Sequence, residues 1–165
     1  MTVVSNASPL ITLSKVGALH VLPELFGNVV VAMEVFREVT VVGAGRSGAI
    51  DAQNAAWIEV KTFANTPQFE RWKSKYGLGA GETATILLAQ ELSAEVAIID
   101  ERSARGLATS LGINVIGCVG ILESAARRNL IADLRGTYHQ LLANGTFIDR
   151  AILNRSLTSL KLPVL

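Results

Sequence analysis

The sequence predicts an α/β domain with a mostly parallel sheet that is covered by helices on both faces. Short runs rich in Val and Ile recur along the chain, at TVVS, NVVVA and EVAIID, and such runs are typical of buried strands. Stretches with the apolar spacing of helices lie between them. Strands that alternate with helices form parallel sheets through right-handed crossovers, so the order of the elements indicates this architecture.

Five strands are predicted, at residues 2–5, 28–32, 57–63, 95–100 and 114–116. After the first strand, Ser8 is a natural helix N-cap and Pro9 suits the first helical position. Residues 78–93 read as a helix that is entered through glycines, with Glu82 in its first turn, where the helix dipole favours a negative charge. A glycine at 112 ends another helix, and helical patterns return at 138–142 and 150–157.

Length and composition predict one folded domain. The chain has 165 residues, which suits a single domain, with a core at about 1–130 and a helical extension at 131–165. Half of the residues are hydrophobic and 18% are charged, a composition that does not favour disorder. The apolar stretch at 29–33 is far shorter than the roughly 20 residues that span a bilayer, so no membrane partner is expected.

Cysteine and histidine usage restricts the metal chemistry. Cys118 is the one cysteine, and His20 and His139 are the two histidines, so neither an intrachain disulfide nor a zinc site is expected. We therefore expect a reducing, cytoplasmic location and a metal held by oxygen ligands.

The charge is uneven along the chain, although its net value is only +1. Residues 1–100 carry 7 basic and 10 acidic side chains, whereas residues 101–165 carry 8 and 4. The C-terminal part is thus expected to offer phosphates a positive surface, with Arg127 and Arg128 as RNA-binding candidates. As single residues, these arginines also fit ordinary solvated helix positions.

Polar side chains follow the strands at the edge where a parallel sheet places its ligands. Asn6 follows the first strand, Asp100 and Glu101 follow the fourth, Glu82 begins the preceding helix, and Glu38 lies on the helix after the second strand. Carboxylates that share a site repel one another unless a cation or a proton is present, and oxygen ligands favour Mg²⁺ or Mn²⁺. Taken singly, each acid also fits a helix cap, a dipole partner or a surface position.

A competing motif occurs at Gly43, Gly45 and Gly48, which satisfy the G-x-G-x-x-G pattern of dinucleotide-binding folds. That fingerprint requires an acid about 20 residues later to hold the ribose, and residues 61–65 supply none. We interpret these glycines as a helix-to-helix loop. A dinucleotide-binding oxidoreductase is the least favoured function.

The collinear order of SNASPLI, the helix with Glu38, GLGAGETA, IIDERSAR and GCVGIL resembles the PIN-domain proteins of the VapC-like group. The resemblance covers about residues 3–130. It implies a Rossmann-like three-layer fold, a metal-dependent ribonuclease active on single strands, and commonly a toxin restrained by an antitoxin protein.

Carried onto this chain, the resemblance implies an acidic site with several members. The ligands are Asn6, Glu82 and Asp100, with Glu101 as an additional one; Glu38 ligates the metal or orients water, and Ser8 supports the first position. Arg105 either clamps a phosphate or pairs with Glu101. The family usually has aspartate where this chain has Asn6, which offers an oxygen without charge, so a catalytically weakened module that binds RNA or protein is the alternative.

Self-association is also expected, as a homodimer, because 50% hydrophobic residues is high for a small monomer. The helix from Val35 and the helix that holds Ile50 are the candidate apolar faces.

Overall fold

The computed structural model describes residues 1–46 and 48–165, and of Ile50 it describes no side chain. Within these ranges, five parallel strands form one sheet: β1 (Val3–Ser5), β2 (Val29–Ala32), β3 (Ile58–Lys61), β4 (Val96–Ile98) and β5 (Val115–Ile116). Each lies inside a predicted strand segment. The α/β class, the parallel sheet and its helical flanks are therefore confirmed.

Helices connect and cover the strands. In chain order they are α1 (Ala7–Lys15), α2 (Val21–Phe26), α3 (Met33–Arg37), α4 (Ala49–Asn54), α5 (Thr66–Tyr76), α6 (Ala80–Glu91), α7 (Arg102–Ser110), α8 (Cys118–Arg127), α9 (Leu134–Ala143) and α10 (Arg150–Ser159). A π-helical turn, Glu38–Val42, continues α3 without a break.

The strand order is β3-β2-β1-β4-β5, so the chain builds outward from β1 in one direction and then returns to its other side. The reversal lies between β1 and β4, whose residues pair in parallel, with Ser5 opposite Ile98. The Asn6 backbone N–H donates to the Ile98 carbonyl at 3.0 Å. These two strands are thus adjacent and parallel, and ligands of such sheets bind at this kind of reversal.

The core combines the two buried strands β1 and β2 with a buried helix that packs on the sheet. All three residues of β1 and all four of β2 are buried, as expected for parallel strands covered on both sides. Helix α6 packs against β1, β2 and β4, and residues 83–89 of it are buried without exception. A helix that is apolar all round belongs inside a protein, and this one fixes the position of Glu82 at its start.

The entry to α1 differs from the prediction. Asn6 occupies the cap position with an extended backbone, and the helix begins at Ala7, so Ser8 and Pro9 are already helical. Ser8 is therefore not the N-cap. The reason is that β1 ends at Ser5 and leaves only one residue between strand and helix.

The predicted apolar faces are partly corrected. Val35 is fully buried and offers no surface, whereas Val41 and Val42 in the π-helical turn are 68% and 76% exposed. The Ile50 side chain lies outside the described residues. Gly43, Gly45 and Gly48 lie between the π-helical turn and α4, as expected for a helix-to-helix connection.

The C-terminal helices dock on the core through α8. Helices α9 and α10 pack against α8 and each other, and the buried Tyr138 hydroxyl lies 2.6 Å from Ser156 Oγ. Ser156 Oγ donates to Glu123 Oε2 at 2.9 Å, which joins all three helices in one hydrogen-bonded network. In the described part of the chain, no helix combines the length and the apolar character needed to cross a membrane.

Candidate active site

An acidic crevice opens at the carboxyl ends of the strands, beside the reversal of strand order. Its volume is about 410 Å³. It is lined by the polar side chains of Asn6, Ser8, Glu34, Arg37, Glu38, Glu82 and Glu101, together with Val42 and the segment 79–81. Four carboxylates thus face one arginine and one buried amide.

Gly81 lets the start of α6 approach the carboxylates closely. A β-carbon on Gly81 would lie 2.6 Å from Glu38 Oε2 and 3.6 Å from Asn6 Oδ1. The Glu38 carboxylate and the Asn6 amide therefore converge on the same small space, although they are 32 positions apart in the sequence.

We expect Gly81→Ala to damage the site while sparing the fold. The new methyl group meets the movable end of Glu38, so the carboxylate must shift, and alanine favours a helix over glycine by roughly 0.5–1 kcal/mol. Metal affinity should fall at least about tenfold with an unchanged or higher Tm. Calorimetry and thermal unfolding check both parts, and Gly106→Ala, in open space on α7, is the matched control. A normal affinity would show that Glu38 is not needed in its present place.

The carboxylates of the crevice are costly to ionise together. Burial raises the pKa of Glu82 to about 7, helped by the neighbouring Glu101 and Glu38 carboxylates. Burial, followed by repulsion from Glu101, also raises the pKa of Glu38. Both shifts indicate a site that favours a proton or a cation.

The raised pKa of Glu82 makes the metal-free stability depend on pH. Its ordinary value is 4.5, so the stability from neutral Glu82 is complete below that pH and is lost as the pH rises through about 7. Glu82→Gln keeps a neutral group at every pH. In EDTA, the Tm gain of this variant should be larger at about pH 8 than at about pH 5, by roughly 2–4 °C for ~1 kcal/mol after allowance for solvent screening.

Differential scanning calorimetry at both pH values measures this gain, with Glu70→Gln, an exposed acid on α5, as the control. An equal gain at the two pH values would contradict the raised pKa.

Asp100 follows β4 but is held from the side of α8. Its Oδ1 accepts the Cys118 backbone N–H at 2.7 Å, and its Oδ2 accepts the Cys118 thiol at 3.0 Å. The carboxylate therefore lies at a helix N-terminus, where a negative charge is favoured. Each oxygen has a further lone pair, so these bonds leave room for a metal ion. Asp100 does not line the crevice itself; its neighbour Glu101 does.

Among the described residues Arg105 forms no ion pair with Glu101, and its role as a phosphate clamp stays a prediction. Its guanidinium donates to the Ile99 carbonyl at 2.8 Å, which fixes the backbone just before Asp100. The side chain is partly buried, and its hydrogen bond stabilises the backbone at the end of β4.

Arg127 and Arg128 lie at the far end of α8 from Asp100. Helix α8 has 10 residues, which separates its ends by roughly 14 Å. Arg127 forms an ion pair with Glu123 at 2.9 Å and donates to Ser159. These arginines therefore lie away from the start of α8, and their role in RNA binding stays a prediction.

Glu34 and Arg37 line the crevice but were missed by the sequence analysis. Both lie on the short helix α3, and Glu34 precedes Glu38 by four residues, one helical turn. That spacing places both acids on one face of the helix, so it could have identified Glu34 from the sequence. Glu34 Oε2 is buried and has no hydrogen-bond partner among the described residues, which is unusual for a carboxylate oxygen.

The donor set fits a divalent cation, but the ligands are not yet gathered around one point. Among residues 1–46 and 48–165, no three acidic, histidine or cysteine side chains are already grouped to hold an ion. The available donors are nevertheless all oxygens, and one of them is a buried oxygen without a partner. Mg²⁺ and Mn²⁺ prefer such donors and usually keep several waters, so an ion needs only a few of them.

Comparison with known proteins gives one match. A family model described as a PIN domain matches residues 2–162. Neither the curated proteins nor the solved structures gave a significant match.

Proposed function

This chain belongs to the PIN-domain family, and from that membership and the acidic crevice we propose that it is a metal-dependent endoribonuclease acting on single-stranded RNA. PIN domains are generally nucleases. The match spans nearly the whole chain, so it includes every residue of the crevice.

The observation that carries the proposal is the convergence of carboxylates at the reversal of strand order. Glu34, Glu38, Glu82 and Glu101 line one space with a single arginine. Such a surface repels the phosphates of RNA, so it suits phosphate chemistry only with a cation between the two. In that role a divalent ion lowers the pKa of water and neutralises charge on the scissile phosphate.

The residues of the chain would hold the ion and position the attacking water. Glu82, Asp100 and Asn6 would hold the ion, with Glu101 at the rim and Ser8 beside Asn6. Glu38, the exposed carboxylate opposite Gly81, would ligate the ion or orient the attacking water.

Cleavage of a fluorescent single-stranded RNA tests the function directly. We expect cleavage with Mn²⁺ or Mg²⁺, none with EDTA, and a loss of about 10²-fold or more in Glu38→Gln. Glu70→Gln removes the same charge outside the crevice and should cleave normally. Cleavage that persists in EDTA would rule out the proposed mechanism.

A weakened PIN module that binds RNA or protein without cutting is the second candidate. It is favoured by the neutral Asn6 amide and by the absence of preassembled acidic ligands among the described residues. RNA binding in a gel shift assay, combined with no cleavage at saturating Mn²⁺, would support this candidate over the nuclease.

A toxin role within a toxin-antitoxin pair is proposed from the resemblance to the VapC-like group. The exposed Val41 and Val42, of which Val42 also lines the crevice, provide an apolar surface for an antitoxin or for a second copy of the chain. Growth arrest on expression would support the toxin role, and light scattering would show whether a dimer forms.

A further inference from the structure

We propose that Glu34 is an additional metal ligand of the crevice and supplies the negative charge that Asn6 lacks. This inference rests on the proposed metal-dependent function. It concerns a residue that the acidic motif of the sequence does not include.

The first support is position. Glu34 lies in the first turn of α3 and lines the crevice together with Asn6, Glu38 and Glu82. Because Glu34 and Glu38 are four residues apart on continuous helical backbone, they project from the same face. The close approach of Gly81 places the Glu38 carboxylate beside the Asn6 amide on that face.

The second support is the condition of the Glu34 carboxylate. Its Oε2 atom is buried and accepts no hydrogen bond from any described residue. A carboxylate oxygen that loses water without gaining a partner costs free energy, and native proteins seldom keep one. Arg37 lines the same crevice, yet the described residues include no ion pair between it and Glu34. A bound cation would satisfy this oxygen.

The third support is charge. Asn6 lines the crevice and is only 3% exposed, but its amide contributes an oxygen without a negative charge. A divalent ion is held more firmly by charged oxygens than by neutral ones. The negative charge of Glu34, on α3, therefore replaces the charge that Asn6 lacks at the end of β1.

Moving the charge between the two positions tests the inference. Mn²⁺ affinity is measured by calorimetry, with electron paramagnetic resonance of bound Mn²⁺ as a second readout. The proteins are the native chain, Glu34→Gln, Glu38→Gln, the double variant Asn6→Asp with Glu34→Gln, and the exposed control Glu70→Gln. We expect Glu34→Gln to weaken binding by about tenfold or more, and the double variant to recover most of that loss.

Each outcome decides a different point. Native affinity in Glu34→Gln, with a loss in Glu38→Gln, overturns the role of Glu34 and leaves the metal-dependent nuclease intact. A loss in Glu34→Gln that Asp at position 6 does not recover overturns the compensation. If the native chain binds no Mn²⁺, both the inference and the proposed function fail. Circular dichroism of each variant separates lost ligation from lost folding.

Discussion

Asp100→Asn is expected to lower cleavage of single-stranded RNA by about 10²-fold or more and to weaken Mn²⁺ binding. The substitution removes a full charge at the end of β4, beside the strand reversal. The fold should survive, because the asparagine oxygen can still accept the Cys118 backbone N–H that Asp100 accepts at 2.7 Å. Initial cleavage rates and calorimetric titration of Mn²⁺ measure the two effects.

The control for Asp100→Asn must separate catalysis from the anchoring of α8. Glu38→Gln serves this purpose. Glu38 is exposed, and its substitution removes the same charge without affecting the bonds to Cys118. Lost cleavage in both variants at an unchanged Tm would identify a shared site. Normal cleavage by Asp100→Asn would show that its bonds to Cys118 are its only role.

Asn6→Asp is expected to tighten Mg²⁺ or Mn²⁺ binding by roughly 1–3 kcal/mol, because a carboxylate replaces a neutral amide ligand. Cleavage should rise with it. The new charge is buried beside Glu38, so without metal the variant should unfold at a lower temperature than the native chain. Excess Mn²⁺ should reverse this order, through preferential binding to the folded state.

Thermal unfolding in EDTA and in Mn²⁺ provides the comparison for Asn6→Asp. Asn6→Ala removes the ligand oxygen without adding charge, and should weaken binding. If Asn6→Asp changes neither the affinity nor the difference between the two unfolding temperatures, no ion sits at the end of β1.

The sheet could be predicted because its signals are local. Val3, Val30 and Ile98 belong to β-branched runs, and the alternation of such runs with helices leaves little choice of architecture. Asn6 and Glu82 were predicted to approach one edge because each follows directly from an element boundary. The family match agrees with this reading over residues 2–162.

The parts that could not be predicted depend on distant contacts or on helix direction. The hydrogen bonds from Cys118 to Asp100 join residues 18 positions apart, and no sequence spacing predicts them. Arg127 was proposed as an RNA contact from charge alone, whereas it lies at the end of α8 away from Asp100 and pairs with Glu123. Glu34 was missed because a single acid on a short helix resembles an ordinary surface residue until its burial is known.

The bond between Cys118 and Asp100 gives the chain a natural reporter of motion. Cys118 is the only cysteine and is fully buried, and burial raises the pKa of its thiol well above the ordinary range. A thiol reagent can therefore react only after the start of α8 separates from β4. The rate of alkylation thus measures how often this end of the sheet opens, and an ion bound beside Asp100 would slow it in proportion to its occupancy.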